Sequence, residues 1–272
     1  MSLYMRKISL IAGRKTIEPP LTIYFDVPFD DSAEVNDVEI TVYNLKDSTV
    51  NSIKKGDRFV LTAGYQDDAG TIFQGILQRK ETTWEGVDKI TKFYCIDDEG
   101  QYMTKKIKKT FERGTTASTI LKYLIVESGL SIGEMKLPKD FIYRSGKTIN
   151  AKISTIMLEI VKDCHAKIHV NRNKIFIRDK NKGDESGIVV SKETGLIDEP
   201  EEISDEIDDV QKKEKKQRKG YKVRMLINHR ITVDTIFTLK SKKVNGRFRV
   251  EKGRHTHNGQ PFYTEVEVYP GE

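Results

Sequence analysis

The sequence predicts a β-rich α+β fold, with strands at both ends of the chain and a helical unit between them. Three observations carry this. Residues 1–97 are mostly short alternating runs separated by tight polar turns, a meander that suits a small barrel or sandwich. Residues 110–180 change to a helical period, and after residue 220 the alternation returns.

The elements follow in order. "LTIYFDV" (21–27) and "DVEITVYNL" (37–45) alternate as strands, with Ile40 and Val42 on one face. "KDSTVNSIKKGD" reads as a short helical turn, with Ser48 or Thr49 as caps and Gly56-Asp57 closing it. "RFVLTAGY", "TIFQGILQRK" and "DKITKFYCID" complete the meander, with turns at "QDDAG" and around Gly86. In "TTASTILKYLIVESGL", Ala117, Ile120, Leu121 and Leu124 recur at helical spacing, and Gly129 stands where a C-terminal cap belongs. Ile153, Ile156, Met157, Ile160, Val161 and Cys164 form the apolar stripe of a second helix. "AKIHVNRNKIFIRD" then reads as a hairpin turning at Asn171–Asn173. "DEPEEISDEIDD" is acidic and "KKEKKQRK" basic, with few apolar residues, so this block is expected to be a solvated loop. "GYKVRMLINHR", "ITVDTIFTLK", "RFRVEKGR" and "FYTEVEVY" are strands again, and Asn245-Gly246 suits a tight hairpin. Arg247, Arg249 and Glu251 are expected to form a charged outer face opposite Phe248 and Val250.

Composition bounds what such a chain does. Its 272 residues leave room for two domains or one elaborate one, and 37% hydrophobic with 32% charged residues is polar but globular. No run approaches the roughly 20 apolar residues that span a bilayer, so no membrane partner is expected. "MSLYMRKISLIAGRK" lacks the apolar core and cleavage site of a signal peptide. Cys95 and Cys164 are too few for a disulfide framework and fit synthesis in a reducing cytosol. The net charge of +6 comes from Lys+Arg 47 against Asp+Glu 41, a mixed surface in which basic runs have acidic neighbours. No specific nucleic-acid binding is expected from it.

Each candidate for chemistry is incomplete. His255 and His257 share a face only if the backbone is extended through both, and the following Asn258-Gly259-Gln260-Pro261 is turn chemistry. The pair is therefore placed at the mouth of a hairpin. A zinc site would need a third ligand, for which His229 in "NHR" is the obvious candidate. In "CHAKIH", Cys164 completes an apolar stripe and His165 falls near a helix C-terminus, with His169 beyond. A reactive thiol would want a helix N-terminus or a cation instead. "SGKT" (145–148) looks like the tail of a phosphate loop, but Phe141 stands where the first glycine is needed. Asp97, Asp98 and Glu99 end a strand as adjacent carboxylates, which fits a turn better than an acid/base pair. Trp84 is a lone aromatic at a hairpin tip. No catalytic, cofactor or metal residue is expected, and the chain is read as a non-enzyme without cofactors.

The order of segments does resemble a known family. "DVEITVYNLKDSTVNSIKKGDRFVLTAGYQDDAGTIFQGILQRKE" resembles the first barrel of phage tail baseplate hub proteins, where an "-YNL-" strand, a short helix, a "-KGD-" turn, an "AGY" strand and an "-IF-G-I-" strand follow one another. "TTASTILKYLIVESGL" and the helix ending at Cys164 resemble the family's inserted α+β domain. "GYKVRMLINHRITVDTIFTLKSKKVNGRFRVEKGRH", ending in "FYTEVEV", is similar to its C-terminal barrel, the late-control protein D type. The likeness spans nearly the whole chain as a string of short matches.

The resemblance implies two small tail-tube-like β-barrels with an inserted two-helix α+β domain. The expected limits are an N-terminal barrel at 1–100, an α+β domain at 101–187, a charged linker at 188–219 and C-terminal barrel strands at 220–272. It also implies a homotrimer whose six barrels form a pseudo-sixfold ring on a hexameric tube. The implied partners are the tail tube, other baseplate and tail-tip proteins and the tape-measure protein, with DNA passing only through the lumen. His255 would be structural. The implied place is the baseplate of a virion tail, after synthesis in the host cytoplasm. The charged 198–219 segment departs from the family pattern. The alternative is a tail-associated module that binds or hydrolyses cell-wall carbohydrate, against which stand a single Trp and isolated carboxylates.

Overall fold

A computed structural model of the chain describes residues 5–30, 37–97, 105–171, 174–179, 182–209 and 214–271. The chain forms two compact units, which divide at Cys95/Ile96 and again at Lys182/Gly183. The architecture is β-rich α+β, as the alternation predicts, with three α-helices among the described residues.

The larger unit begins with β1 (Arg6–Ala12), β2 (Lys15–Ile17), β3 (Ile23–Asp30), β4 (Asp37–Tyr43), the short helix α1 (Asp47–Ser52), β5 (Arg58–Tyr65), β6 (Asp68–Glu85) and β7 (Asp88–Asp97). The strands lie in the order β3-β4-β7-β6-β5-β1-β2. Inward positions from all of them, including Leu10, Ile17, Phe25, Ile40, Leu61, Leu77 and Phe93, meet in one core. Each such side chain withdrawn from water contributes about 1.5–3 kcal/mol. Helix α1 starts at Lys46, which makes no side-chain cap, so Ser48 and Thr49 lie inside the helix and not at its cap. Past the helix the Lys54 amide donates to Asp57 Oδ2 at 2.7 Å, and Gly56 takes the left-handed conformation this turn requires.

The smaller unit contains β8 (Lys106–Phe111), β9 (Thr115–Thr116), α2 (Ala117–Ser128), β10 (Ser131–Met135), β11 (Ile142–Tyr143), β12 (Lys147–Lys152), α3 (Ile153–Asp163), β13 (Ala166–Asn171) and β14 (Lys174–Asp179). The Thr116 side chain caps α2 by accepting from the Thr119 amide, and Gly129 ends it in the left-handed conformation. The predicted stripe of α3 is buried from Ile153 to Cys164 and packs against Ile120, Leu121 and Leu124 of α2. β13 and β14 pair as the expected hairpin, whose turn at 172–173 lies outside the described residues.

The chain then returns to the larger unit with β15 (Asp184–Val190), a 3-10 turn at Lys192–Thr194, β16 (Glu201–Asp209), β17 (Glu214–Leu226), β18 (Thr235–Lys240), β19 (Asn245–His257) and β20 (Phe262–Pro270). β17-β20-β19-β18-β15 run side by side, and residues 195–197 come back to β17. There Leu196 bridges Met225, and the Leu226 amide donates to the Gly195 carbonyl at 2.7 Å. The strands thus close around Val190, Val223, Phe237, Val250 and Val268.

Three expectations are corrected here. The acidic and basic halves of the charge block are not a linker: β16 and β17 form an antiparallel ladder from Glu201↔Lys222 to Asp209↔Glu214. Folding back sets the acidic run beside the basic run, and opposite charges across a ladder stabilise it. The turn before β19 is Ser241–Val244, whose end amide and carbonyl bond at 3.0 Å, while Asn245 already belongs to the strand. Arg249 does not face outward. It is 3% exposed, because Asp234 is buried beside it and supplies a partner.

Candidate assembly site at the barrel junction

β19 joins the two strand groups of the larger unit. Its first half pairs with β18, a bulge falls between Val250 and Lys252, and Lys252–His257 then pair with β3. The bulge turns the strand from one core towards the other. The 13-stranded sheet is therefore continuous from β16 to β2, with a branch from β19 through β18 to β15.

His255 and His257 stand in this second half. The backbone is extended through both, so they share a face and point into the core. His255 Nδ1 lies 2.8 Å from Thr264 Oγ1, and its ring packs on Phe29. His257 Nδ1–H donates to the Pro261 carbonyl at 2.7 Å, while its ring meets Tyr24, Phe25 and Phe262. Burial pushes His255 down to about 3, helped by the nearby His229, against a backbone hydrogen bond with Ile231. Burial also lowers His257. Both imidazoles are neutral hydrogen-bonding spacers in an aromatic core. The turn that follows is clamped from β1, where Arg6 donates to the Gly259 and Gln260 carbonyls at 3.1 and 2.9 Å.

The third predicted ligand, His229, reaches instead to the start of β6. A Cβ at Gly70 would lie 2.2 Å from its Cδ2, so glycine makes room for the ring. Beside it Arg230 holds Asp68 through both guanidinium nitrogens. Among the described residues, no three His, Cys, Asp or Glu side chains are grouped to hold a metal.

The other candidates scatter. Cys164 caps α3 in the core, and burial raises its thiol; Cys95 is pushed up to about 12 for the same reason. His165 is exposed in the left-handed turn after the helix, and His169 stacks on Phe176. "SGKT" turns at Gly146 into strand β12 and not into a helix, and Lys147 pairs with Glu159. Asp97 ends β7, while Asp98 and Glu99 lie outside the described residues. Trp84 is 68% exposed next to the β6–β7 turn, with Val87 88% exposed beyond it.

Sequence reasoning missed a polar network across the C-terminal strands. Tyr269 donates to Asp205, and the Arg218 guanidinium stacks 3.4 Å above the Tyr269 ring. Arg218 also donates to Glu251 at 2.5 Å. Arg249 bridges the same Glu251 and the fully buried Asp234. The only signal in the sequence is the alternation of arginine and glutamate along β19, which is equally that of a wet strand.

No protein-family model matches the chain, and no curated protein matches it in sequence. Solved structures do match in fold. The 43 kDa tail protein of prophage MuSo2 from Shewanella oneidensis aligns with a TM-score of 0.69 at 9% identity, covering 98% of each chain. The tail protein from Neisseria meningitidis MC58 aligns at 0.67 and 8% identity, over 98% of this chain and 97% of its own. A component of the E. coli type VI secretion system, described as structurally similar to T4 bacteriophage tail proteins, aligns at 0.63 and 6% identity over 97% and 77%. The chain has a fold shared by phage and prophage tail proteins and by a component of the type VI secretion system. Within that class it aligns end to end with the two tail proteins from Shewanella oneidensis and Neisseria meningitidis.

Proposed function

We propose that the chain is a structural part of a phage or prophage tail, serving as the baseplate hub that connects the tail tube to the baseplate and tail tip. The observation that carries this reading is the end-to-end match with tail proteins, at 97–98% of both chains for the first two. The sheet that runs unbroken through β19 supports it, since it fixes two strand groups rigidly side by side in one chain. Three copies then supply six such groups, the count a sixfold tube requires. The free edge strands β16 and β2 are where neighbours would join. In this reading the hub is a homotrimer in the virion tail. It meets the tube, other baseplate proteins and the tape-measure protein, and it works by shape complementarity without a cofactor or a reaction.

Light scattering over a concentration series tests the assembly, with monomer passing to trimer and no dominant dimer. In the parent phage, loss of the gene should leave filled heads without functional tails, while replication and lysis proceed. Infectious particles from that deletion would overturn the hub.

A further inference from the structure

The positive charge of the chain is not spread evenly. Residues 96–182 carry 18 Lys and Arg against 10 Asp and Glu, whereas the remainder carries 29 against 31. The inserted unit is basic and the larger unit close to neutral.

Five of those 18 basic residues lie on one ribbon, which carries no acidic residue. β8 and β12 pair antiparallel with Lys106 opposite Lys152, Lys108 opposite Asn150 and Thr110 opposite Thr148. These six side chains share the outer face, and all are exposed. The inner face carries Ile107, Phe111 and Ile149 into the core, so the ribbon is rigidly backed. The lysines of the two faces are treated differently. On the inner face Lys147 pairs with Glu159, and Lys109 lies 3.6 Å over the Tyr123 ring. On the outer face no ion pair is made by Lys106, Lys108 or Lys152 with any described residue. Two lysines directly opposite are about 5 Å apart at Cβ and repel each other. A fold tolerates this most readily where an anion neutralises both.

We infer that the outer face of the β8–β12 ribbon binds the phosphate backbone of double-stranded DNA without reading its sequence. Lysine ammonium groups with flanking Thr hydroxyls and an Asn amide are the side chains that contact phosphates and position a protein on a duplex. A two-stranded ribbon also has the width that a DNA groove admits. The face has no apolar residue, which disfavours insertion into a lipid surface and the apolar centre of a protein interface. On the β16 strand of a second copy, Glu202 is already held by Lys219 and Asp205 already accepts from Tyr269 within the same chain, so neither of these two carboxylates is a free counterpart.

The test is fluorescence anisotropy of a labelled DNA duplex with the full chain between 25 and 200 mM salt. Binding should weaken steeply with salt. Replacing Lys106→Gln, Lys108→Gln and Lys152→Gln together should weaken it about tenfold or more at low salt and lower the log–log salt slope by about 3. The matched control is Lys122→Gln, Lys139→Gln and Lys162→Gln, three exposed lysines of the same unit. Equal melting temperatures establish that both variants fold. The proposal is overturned if the unaltered chain leaves DNA free at 25 mM salt, or if the control weakens binding as much as the ribbon variant. It is equally overturned if the ribbon variant keeps DNA but loses self-association, or loses only adsorption to anionic vesicles.

Discussion

His255 shows how a residue chosen for possible chemistry can be explained by packing. Its ring is buried against Phe29 and hydrogen-bonded to Thr264, and burial depresses its basicity to about 3. The consequence for stability has a definite sign. Above pH 6.5 the imidazole is neutral folded or unfolded, and nothing changes. Below it the unfolded chain takes a proton that the native core refuses, so stability falls as pH falls towards 3. The loss approaches about 1.4 kcal/mol per pH unit, or about 2 kcal/mol by pH 5. Urea titrations at pH 7 and 5 should show this slope, and His255→Gln should reduce it. An unchanged slope in the variant would place the proton uptake elsewhere. The two-residue spacing was legible in the sequence, but not whether that strand faces metal, solvent or a core, because burial is set by β3 and β20 on either side.

At the scale of the element, the charged hairpin is the clearest departure from the composition-based reading. Lys+Glu-rich runs cannot bury a core, and that argument holds for each run taken alone. It fails for the pair, because β16 and β17 satisfy each other's backbone groups, and β20 supports β17 from Tyr221 to Leu226. Arg218 ties the ribbon down by stacking on Tyr269 while donating to Glu251. Arg218→Ala should therefore cost about 1–3 kcal/mol, as a lost cation–π contact and charged hydrogen bond. Brief trypsin treatment should cut the variant faster at Lys219 and Lys222 than the parent. Early cleavage of the parent at these lysines, before Lys122 or Lys139, would mean that the ladder opens readily. Helices α2 and α3 were more legible, because a 3.6-residue period and the Gly129 cap are local signals.

For the whole molecule, the two compact units each have a core of their own, so unfolding need not be a single event. Ile160 is fully buried in the smaller unit, on the face of α3 towards α2. Ile160→Ala should destabilise that unit by about 2–5 kcal/mol through lost burial and a cavity. Calorimetry should show one transition moving down while the other holds. A single peak that shifts as a whole would show that the units unfold together.

The division between what is legible along the chain and what needs the fold is physical. Periodicity, turn residues and caps act over a few neighbours, so the β-rich class, the two central helices and most strands can be read from the order of residues alone. The order of short strand motifs also pointed to tail proteins, whose fold the structure shares at 8–9% identity. Register and burial depend on partners far away in sequence. The pairing of β19 with β3 spans more than two hundred residues, and it turns His255 into core. Asp234, brought beside Arg249, turns an apparent surface arginine into a buried one. The outer lysines of β8 and β12 become one basic face only when strands some forty residues apart lie in antiparallel register.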